Sequence, residues 1–555
     1  MPFTSLPLKL DWAGDVLTTT PAVVCSHVFG FVPQVSYTHH QMIWNGFYDE
    51  VGGKPVITPR GSVKPASVTT FSKSVAPTGD TPRGIFWAND IARLIEVWSD
   101  DIYVDGTKGT GTMVDTASAG PCGFAEGRDT DGTAYCFVAS RTKSVYVNSA
   151  GTVTAITDSD YPANVVPTPV VLDSYVFIPQ ESTNKIYNSS PGDKTVWQAS
   201  TYMVMEQEGD NVVGLAKHHN MLVAFGTRHT EFFRDAGIAS PNSPLLRVTE
   251  YTRKIGCVNR ASIVTFDDVT FFIGIDESGI IGVYKLEDFR IEKISTPTID
   301  QQLRNAAGSN KKIGVLTTDW VDYATATPGS GSTTAMVLES FGRPLYIINR
   351  GGASSLGATS QYDPALVYDT KFKLWYMWSG RHYYTAGGAY VWGAWSFPFM
   401  TSVKSSALSQ TYQYGQPTLG SQATKPWEYG TSYQDTTVEN TALATALEWA
   451  IYLPAIKEDG RYAISRVVVD SYTGGGTIYT FSGSTCPMFY PISTSTYDTA
   501  NTVSPSSGNP AIFNRVTGWN DISQLIYHQT ASADPSQSRM WGIHVLVNAS
   551  KVRQG

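Results

Sequence analysis

Adjacent carboxylates are the residues of this chain best suited to chemistry. Asp100-Asp101, Asp267-Asp268 and Asp276-Glu277 could supply the two carboxyl groups that glycoside hydrolysis brings together in one pocket. Each pair lies at a turn between two short apolar runs, where acids ordinarily cap the backbone and face water. Asp129-Thr130-Asp131-Gly132 opens like a calcium loop but lacks the later acidic ligands. Asp-Gly is also a tight-turn pair, and a turn is the expectation. His39-His40 and His218-His219 are neighbours in sequence. On a strand, neighbours point to opposite faces, so neither pair alone chelates a metal comfortably.

Other signatures are absent. The chain holds no GxxxxGK[ST], HExxH or GxSxG, and no SxDxGxxW repeat of the sialidase kind. Gly106 to Gly111 and Gly329 to Gly331 lack the strand and helix that would seat a phosphate, and read as loops. Arg247, Arg253, Lys254 and Arg260 gather four cations in fourteen residues, with Glu250 among them. DNA phosphates, acids of a neighbouring subunit or solvent would each satisfy such a cluster. Five cysteines, Cys25, Cys122, Cys136, Cys257 and Cys486, form no CxxC, so buried reduced thiols are expected rather than disulfides or a zinc site. No catalytic, cofactor-binding or metal-binding residue is therefore assigned, and no cofactor is expected.

The elements that would position these residues recur. An apolar strand, a short polar turn and a second strand bearing an aromatic appear at 94–104, 135–147, 175–187, 221–233 and 270–284. The aromatics Tyr103, Tyr146, Tyr187, Phe233 and Tyr284 fall 43, 41, 46 and 51 residues apart. A period of roughly 40–50 residues holding paired short strands is the mark of propeller blades. One blade cannot bury both faces of its small sheet, so several must pack about an axis. Pro344 to Ile348, Leu374 to Trp378 and Tyr390 to Trp395 extend the series. The fold expected is mainly β: a propeller, six blades by preference with five or seven left open, and a C-terminal β-sandwich-like domain.

Residues 1–64 read as an N-terminal arm or partial blade that closes the ring or meets a neighbour, and 65–400 as the propeller. Residues 401–440 read as a linker or projecting loop, and 441–555 as the C-terminal β domain. Pro297 to Ala307 reads as a short helix with Thr296 as its N-cap. Thr325 to Thr334 reads as a loop tip, and Thr441 to Leu453 is undecided between helix and strand. In the last domain, 464–469 and 477–481 are expected as strands joined by a turn at Tyr472 to Gly476, followed by a strand at 541–547.

The chain has 555 residues, 16% of them charged, with 30 Tyr, 23 Phe, 14 Trp and a net charge of −8. Ordinary globular chains are about 25% charged. A surface poor in charge and rich in Tyr suits a β assembly whose faces are covered by neighbours. Net acidity speaks against gripping nucleic acid but not against a wall that DNA slides past. Neither a signal peptide nor an apolar run of the ~20 residues that span a bilayer is seen, so a soluble product that stays where it is made is expected.

One segment resembles a known family. Gly226-Thr-Arg-His-Thr-Glu-Phe-Phe-Arg-Asp-Ala-Gly237, then Ser240-Pro241, then Ile255-Gly-Cys-Val-Asn-Arg-Ala-Ser-Ile263 set the order. Phe271-Phe-Ile-Gly274, Gly282-Val-Tyr284 and Ile291-Glu-Lys-Ile-Ser-Thr296, ending in Ile299-Asp300, continue it. This is similar to the packaged-DNA stabilization, or tail-nozzle, proteins of short-tailed bacteriophages. The resemblance implies a structural propeller protein of the virion tail, assembled in the host cytoplasm. It implies a homohexameric ring below the portal and the adaptor, with tail fibres or tailspikes as further partners. Such a ring continues the channel for double-stranded DNA, holds the genome in and conducts it at ejection without binding it specifically. A ring interface joins unlike patches of adjacent subunits, and the aromatics of Trp392 to Phe399 are candidates to fill it. The alternative is a propeller hydrolase or glycan-binding protein acting on the host envelope; a propeller scaffold that binds peptides is the third reading.

Overall fold

The computed structural model describes residues 82–110, 114–115, 121–206 and 209–304 almost without interruption. It also describes 4–6, 42–52, 54–60, 63–65, 334–340, 343–349, 365–378, 382–384, 390–392 and a series of strands between Met400 and Ala549. His39-His40, Cys25, Cys486, Gly329 to Gly331 and Phe399 lie outside the described residues.

Six antiparallel four-stranded units follow one another in chain order, spanning 82–108, 123–155, 170–204, 212–247, 255–293 and 334–378. These are blades one to six. In the fifth, the first strand is split into Ile255–Cys257 and Val264–Phe266, both pairing with Val269–Asp276. The first strands of successive blades touch in order around an axis. Between blade six and blade one stands a further four-stranded sheet, built from Met400–Ser405, Leu408–Gln413, Trp427–Tyr429 and Val63–Pro65. Its first strand contacts both Thr334–Ser340 and Pro82–Ala88, so this closing sheet completes the circle.

The strand pairs legible in the sequence are the second and third strands of each blade. They are apolar because both their faces are buried, and period-2 alternation decides which neighbour each side chain meets. In Ala134–Ala139, Cys136 and Val138 pack with Ile95 and Val97 of blade one, whereas Tyr135, Phe137 and Ala139 pack with Val176 and Ile178 of blade three. In Met221–Gly226, Leu222 and Ala224 face blade three, and Val223 and Phe225 face blade five. Phe271 and Ile273 meet Tyr346, Ile348 and Tyr368 of blade six. Each seam is thus a hydrophobic core shared by two blades, and a fully buried residue such as Phe137 or Phe225 contributes about 1.5–3 kcal/mol.

The helix forms at Pro297–Arg304, with Thr296 capping it through its carbonyl to Asp300 N and its hydroxyl to Ile299 N. Ile299 and Leu303 seat it on the seam between blades five and six. Residues 401–440, expected as a linker or projecting loop, carry strands: Thr, Tyr and Gln suit a sheet as well as a loop, and one partner, Val63–Pro65, lies far away in sequence. Thr441 to Leu453 resolves to strands, Ala444–Ala446 and Glu448–Tyr452. Ile456–Ser471 and Gly476–Ser482 do form, but both pair with Asn520–Thr530 and make no hairpin with each other. Strands from the N-terminal region join these. Met42–Trp44 pairs with Glu448–Tyr452, and Thr4–Leu6 with Met540–Ala549.

Candidate functional site at the axis and the blade seams

The first strands leave little room where they converge. A cavity of about 280 Å³ lies there, lined from different blades by Ile85, Phe124, Pro167, Leu215, Arg260 and Ala335 among others. A Cβ on Gly123 would run into the carbonyl of Pro167, and one on Gly214 into the side chain of Ile263; the inner strands are held at closest approach. No carboxylate is among the described residues that line the cavity. Its volume lies at the lower edge of the ~300–1,000 Å³ of small-molecule sites. Duplex DNA, whose major groove alone is about 12 Å wide, does not fit.

The paired carboxylates do not converge. Asp101 is paired with Lys108 at 2.5 Å in blade one, and Asp100 accepts Val114 N through its carbonyl. Asp267 and Asp268 both take left-handed backbone (φ 44° and 62°), forming a two-residue hairpin turn. Asp276 accepts Ser278 N and Ile280 N, and Glu277 meets Lys254 at 2.8 Å. These residues serve turns and surface pairs, as their positions in sequence suggest.

Asp129-Thr130-Asp131-Gly132 is a turn. Asp131 accepts Thr133 N, and Gly132 N closes on the Asp129 carbonyl. The positive charge beside Asp129 is Lys194, reaching across from blade three with its ammonium over the rings of Tyr135 (4.6 Å) and Tyr146 (4.3 Å). Among the described residues, no three His, Cys, Asp or Glu side chains form a metal-binding group.

His218 and His219 depart from the expectation that they diverge. His219 adopts φ +50°, which swings its ring beside that of His218, 4.4 Å away. Both rings pack on Phe289 of blade five. His218 Nε2 accepts Phe289 N at 3.4 Å, while the buried Nδ1 has no hydrogen-bond partner. Burial, then the neighbouring His219, hold the His218 imidazole below its usual pKa.

The four clustered cations disperse. Arg247 binds Glu231, a carboxylate with no exposure, at 2.7 Å, together with Glu206 and the Val204 carbonyl. Arg253 donates to the carbonyls of Glu250, Thr252 and Phe289. Lys254 faces Glu277, and Arg260 lines the axis. They serve seams and turns rather than one phosphate-binding patch.

Sequence reading missed the polar ties between blades and within them. Arg83 of blade one and Ser140 and Thr142 of blade two all donate to the Asp115 carboxylate. Asp210 caps the turn at Thr227, Arg228 and His229 through their backbone N–H groups. A lone Asp before a strand carries no signal of its distant partners. Cys122, Cys136 and Cys257 are buried and unpaired by disulfides. Burial pushes all three thiols up, Cys257 to about 12, which makes them inert.

Residues 64–319 match the family model described as "Bacteriophage P22 Gp10, beta-propeller". Over these residues the chain is similar to this phage-stabilisation family. The match extends the resemblance seen over 226–303 back through blade one. Comparison with curated proteins gave no match. Among solved structures the chain is similar to the N-terminal domain of Nup159 (9% identity, TM-score 0.33, 70% of this chain and 98% of that one). It is also similar to YCF48 bound to D1 peptide (11%, 0.34, 64% and 96%). A third is BamB from Moraxella catarrhalis (10%, 0.30, 69% and 99%). The phage-stabilisation family is one of structural phage proteins, and this chain is accordingly read as a structural component of a virion.

Proposed function

We propose that the chain is a wall subunit of a short-tailed phage nozzle. In this reading six copies form a ring below the portal and adaptor, retain the packaged DNA and conduct it at ejection. The observation that carries the reading is a phage-stabilisation propeller whose own axis is too narrow for a duplex. DNA that this protein surrounds must then run outside each propeller, through a lumen made by several copies. Six copies carry six times the net charge of −8, a field that keeps phosphates from adhering. Stiffness comes from the shared seams, which a pressurised wall needs and a catalyst does not. The adaptor and tail fibres or tailspikes are the proposed partners, and the tail, assembled in the host cytoplasm, the proposed location. The division into arm, propeller and C-terminal β domain belongs to the same proposal.

The test is electron microscopy of the purified chain mixed with the adaptor ring of its phage. Sixfold rings with an open lumen are expected, coaxial with the adaptor. A chain that stays monomeric in the presence of that ring overturns the reading.

A further inference from the structure

We propose that the outer rim of blades three and four is one half of the contact between neighbouring copies of this chain, an inference that rests on the ring reading and gives it a surface. The connection between the third and fourth strands is short in the other five blades, at 105–106, 149–152, 191–192, 288–289 and 370–373. In blade four it runs from 236 to 244, and 236–242 is the longest run of exposed residues among those described. That run, Ala236-Gly-Ile-Ala-Ser-Pro-Asn242, holds no charge. Beside it the outer strand of blade three, Asp193–Val204, swells. The pair Tyr187↔Tyr202 is followed by Ser189↔Trp197, so Gln198 to Thr201 stand opposite Asn188 alone. Gln198, Ala199 and Ser200 are exposed and also uncharged.

Both projections are fixed before any partner arrives. Asp235 accepts Gly237 N at 2.7 Å, and Ala236 N closes on the Pro244 carbonyl at 2.8 Å. Ser240 Oγ donates to Gln198 Oε1 at 2.6 Å, and Thr201 Oγ1 to the Pro241 carbonyl at 3.2 Å. Bulge and loop thus brace one another across two blades, and a braced surface loses little entropy on association. Of the four large apolar side chains exposed among the described residues, Val196, Ile238 and Leu246 belong to these outer strands and this loop. Charge names the occupant. Each copy carries −8, so two copies repel unless they meet where neither brings charge, and interface cores are depleted of charged residues. The stretch Trp392 to Phe399, expected to fill the ring contact, is likewise without charge. A head-to-tail contact joins unlike patches, here an aliphatic one to an aromatic one. A surface turned toward DNA would instead carry the acids that repel phosphate.

The experiment mixes the full chain with the adaptor ring and follows assembly by sedimentation and electron microscopy, for wild type, Ile238→Glu, Ala199→Glu and Ile280→Glu. The last puts the same charge on an exposed apolar residue of blade five and serves as control. Ile238→Glu and Ala199→Glu should each raise the concentration at half assembly at least ~10-fold, because a carboxylate buried in an uncharged contact loses its water without gaining a partner. Their thermal midpoints as free chains should match the wild type, and Ile280→Glu should assemble normally. Three results overturn this surface while wild-type rings leave the nozzle reading standing. They are normal assembly of both rim variants, an equal defect in Ile280→Glu, and a lowered midpoint of the free rim variants, which would mean that the chain's own residues cover the patch. A wild type that stays monomeric beside the adaptor overturns both readings.

Discussion

The seam between blades two and three and the seam between blades four and five solve the same packing problem with different polar chemistry. Both are dense with aromatics: Phe137, Tyr161 and Trp197 in the first, Phe225, Phe272 and Tyr284 in the second. The first adds a lysine, Lys194, whose charge is matched by Asp129 and two tyrosine faces. The second adds a histidine pair, one member buried with an orphan ring nitrogen. Apolar packing sets how strong a seam is, and the polar group at its edge sets what weakens it.

The largest expected effect falls on what the two seams share. Phe137→Ala and Phe225→Ala each remove a side chain with no exposure and should cost about 3–5 kcal/mol, measured by denaturant unfolding. If the two differ by more than the scatter of such substitutions, the seams are not equivalent cores. Arg247→Met comes next: it removes the cation beside Glu231, which has no exposure, and about 3 kcal/mol should be lost, with Glu231→Gln in the same chain restoring part of it. Lys194→Met should cost about 1–3 kcal/mol by leaving Asp129 without its cation, and a near-neutral result would mean the Tyr135–Tyr146 cleft accepts an apolar chain equally well.

The pH response separates the seams. The folded pKa of His218 lies below its ordinary value of 6.5, so the unfolded chain takes up the proton first. Its contribution is complete above pH ~6.5 and is lost as pH falls from there through the folded pKa. Urea midpoints taken from pH 7.5 to 5 should therefore fall more steeply in the wild type than in His218→Asn. Equal slopes in both proteins would remove the histidine from the account. The smallest effect is expected at the exposed Lys254–Glu277 pair, where Lys254→Ala should change stability by no more than about 0.5 kcal/mol.

Legibility followed burial. The second and third blade strands stood out because burial on both faces demands continuous apolar runs such as Tyr135 to Val138 and Met221 to Phe225. First strands such as Gly123–Arg128, where Gly123 must let the Pro167 carbonyl approach, and fourth strands such as Val153–Ala155, with two exposed residues, carry no such run. Of the candidate chemistry, the turn roles of Asp131, Asp267-Asp268 and Asp276 followed from residue type and neighbours. The approach of the two histidine rings did not, since it depends on one left-handed backbone position at His219.

Local order was written in the chain itself. Strand alternation, Asp-rich turns and a recurring blade length depend on interactions within about fifty residues, and hydrophobic periodicity reports those directly. The narrow axis, the pairing of Lys194 with Asp129 and the return of residues 63–65 to strand 427–429 were decided by tertiary structure. Each joins groups whose separation in sequence bears no relation to their separation in space, and only the packing of sheet beside sheet brings them together.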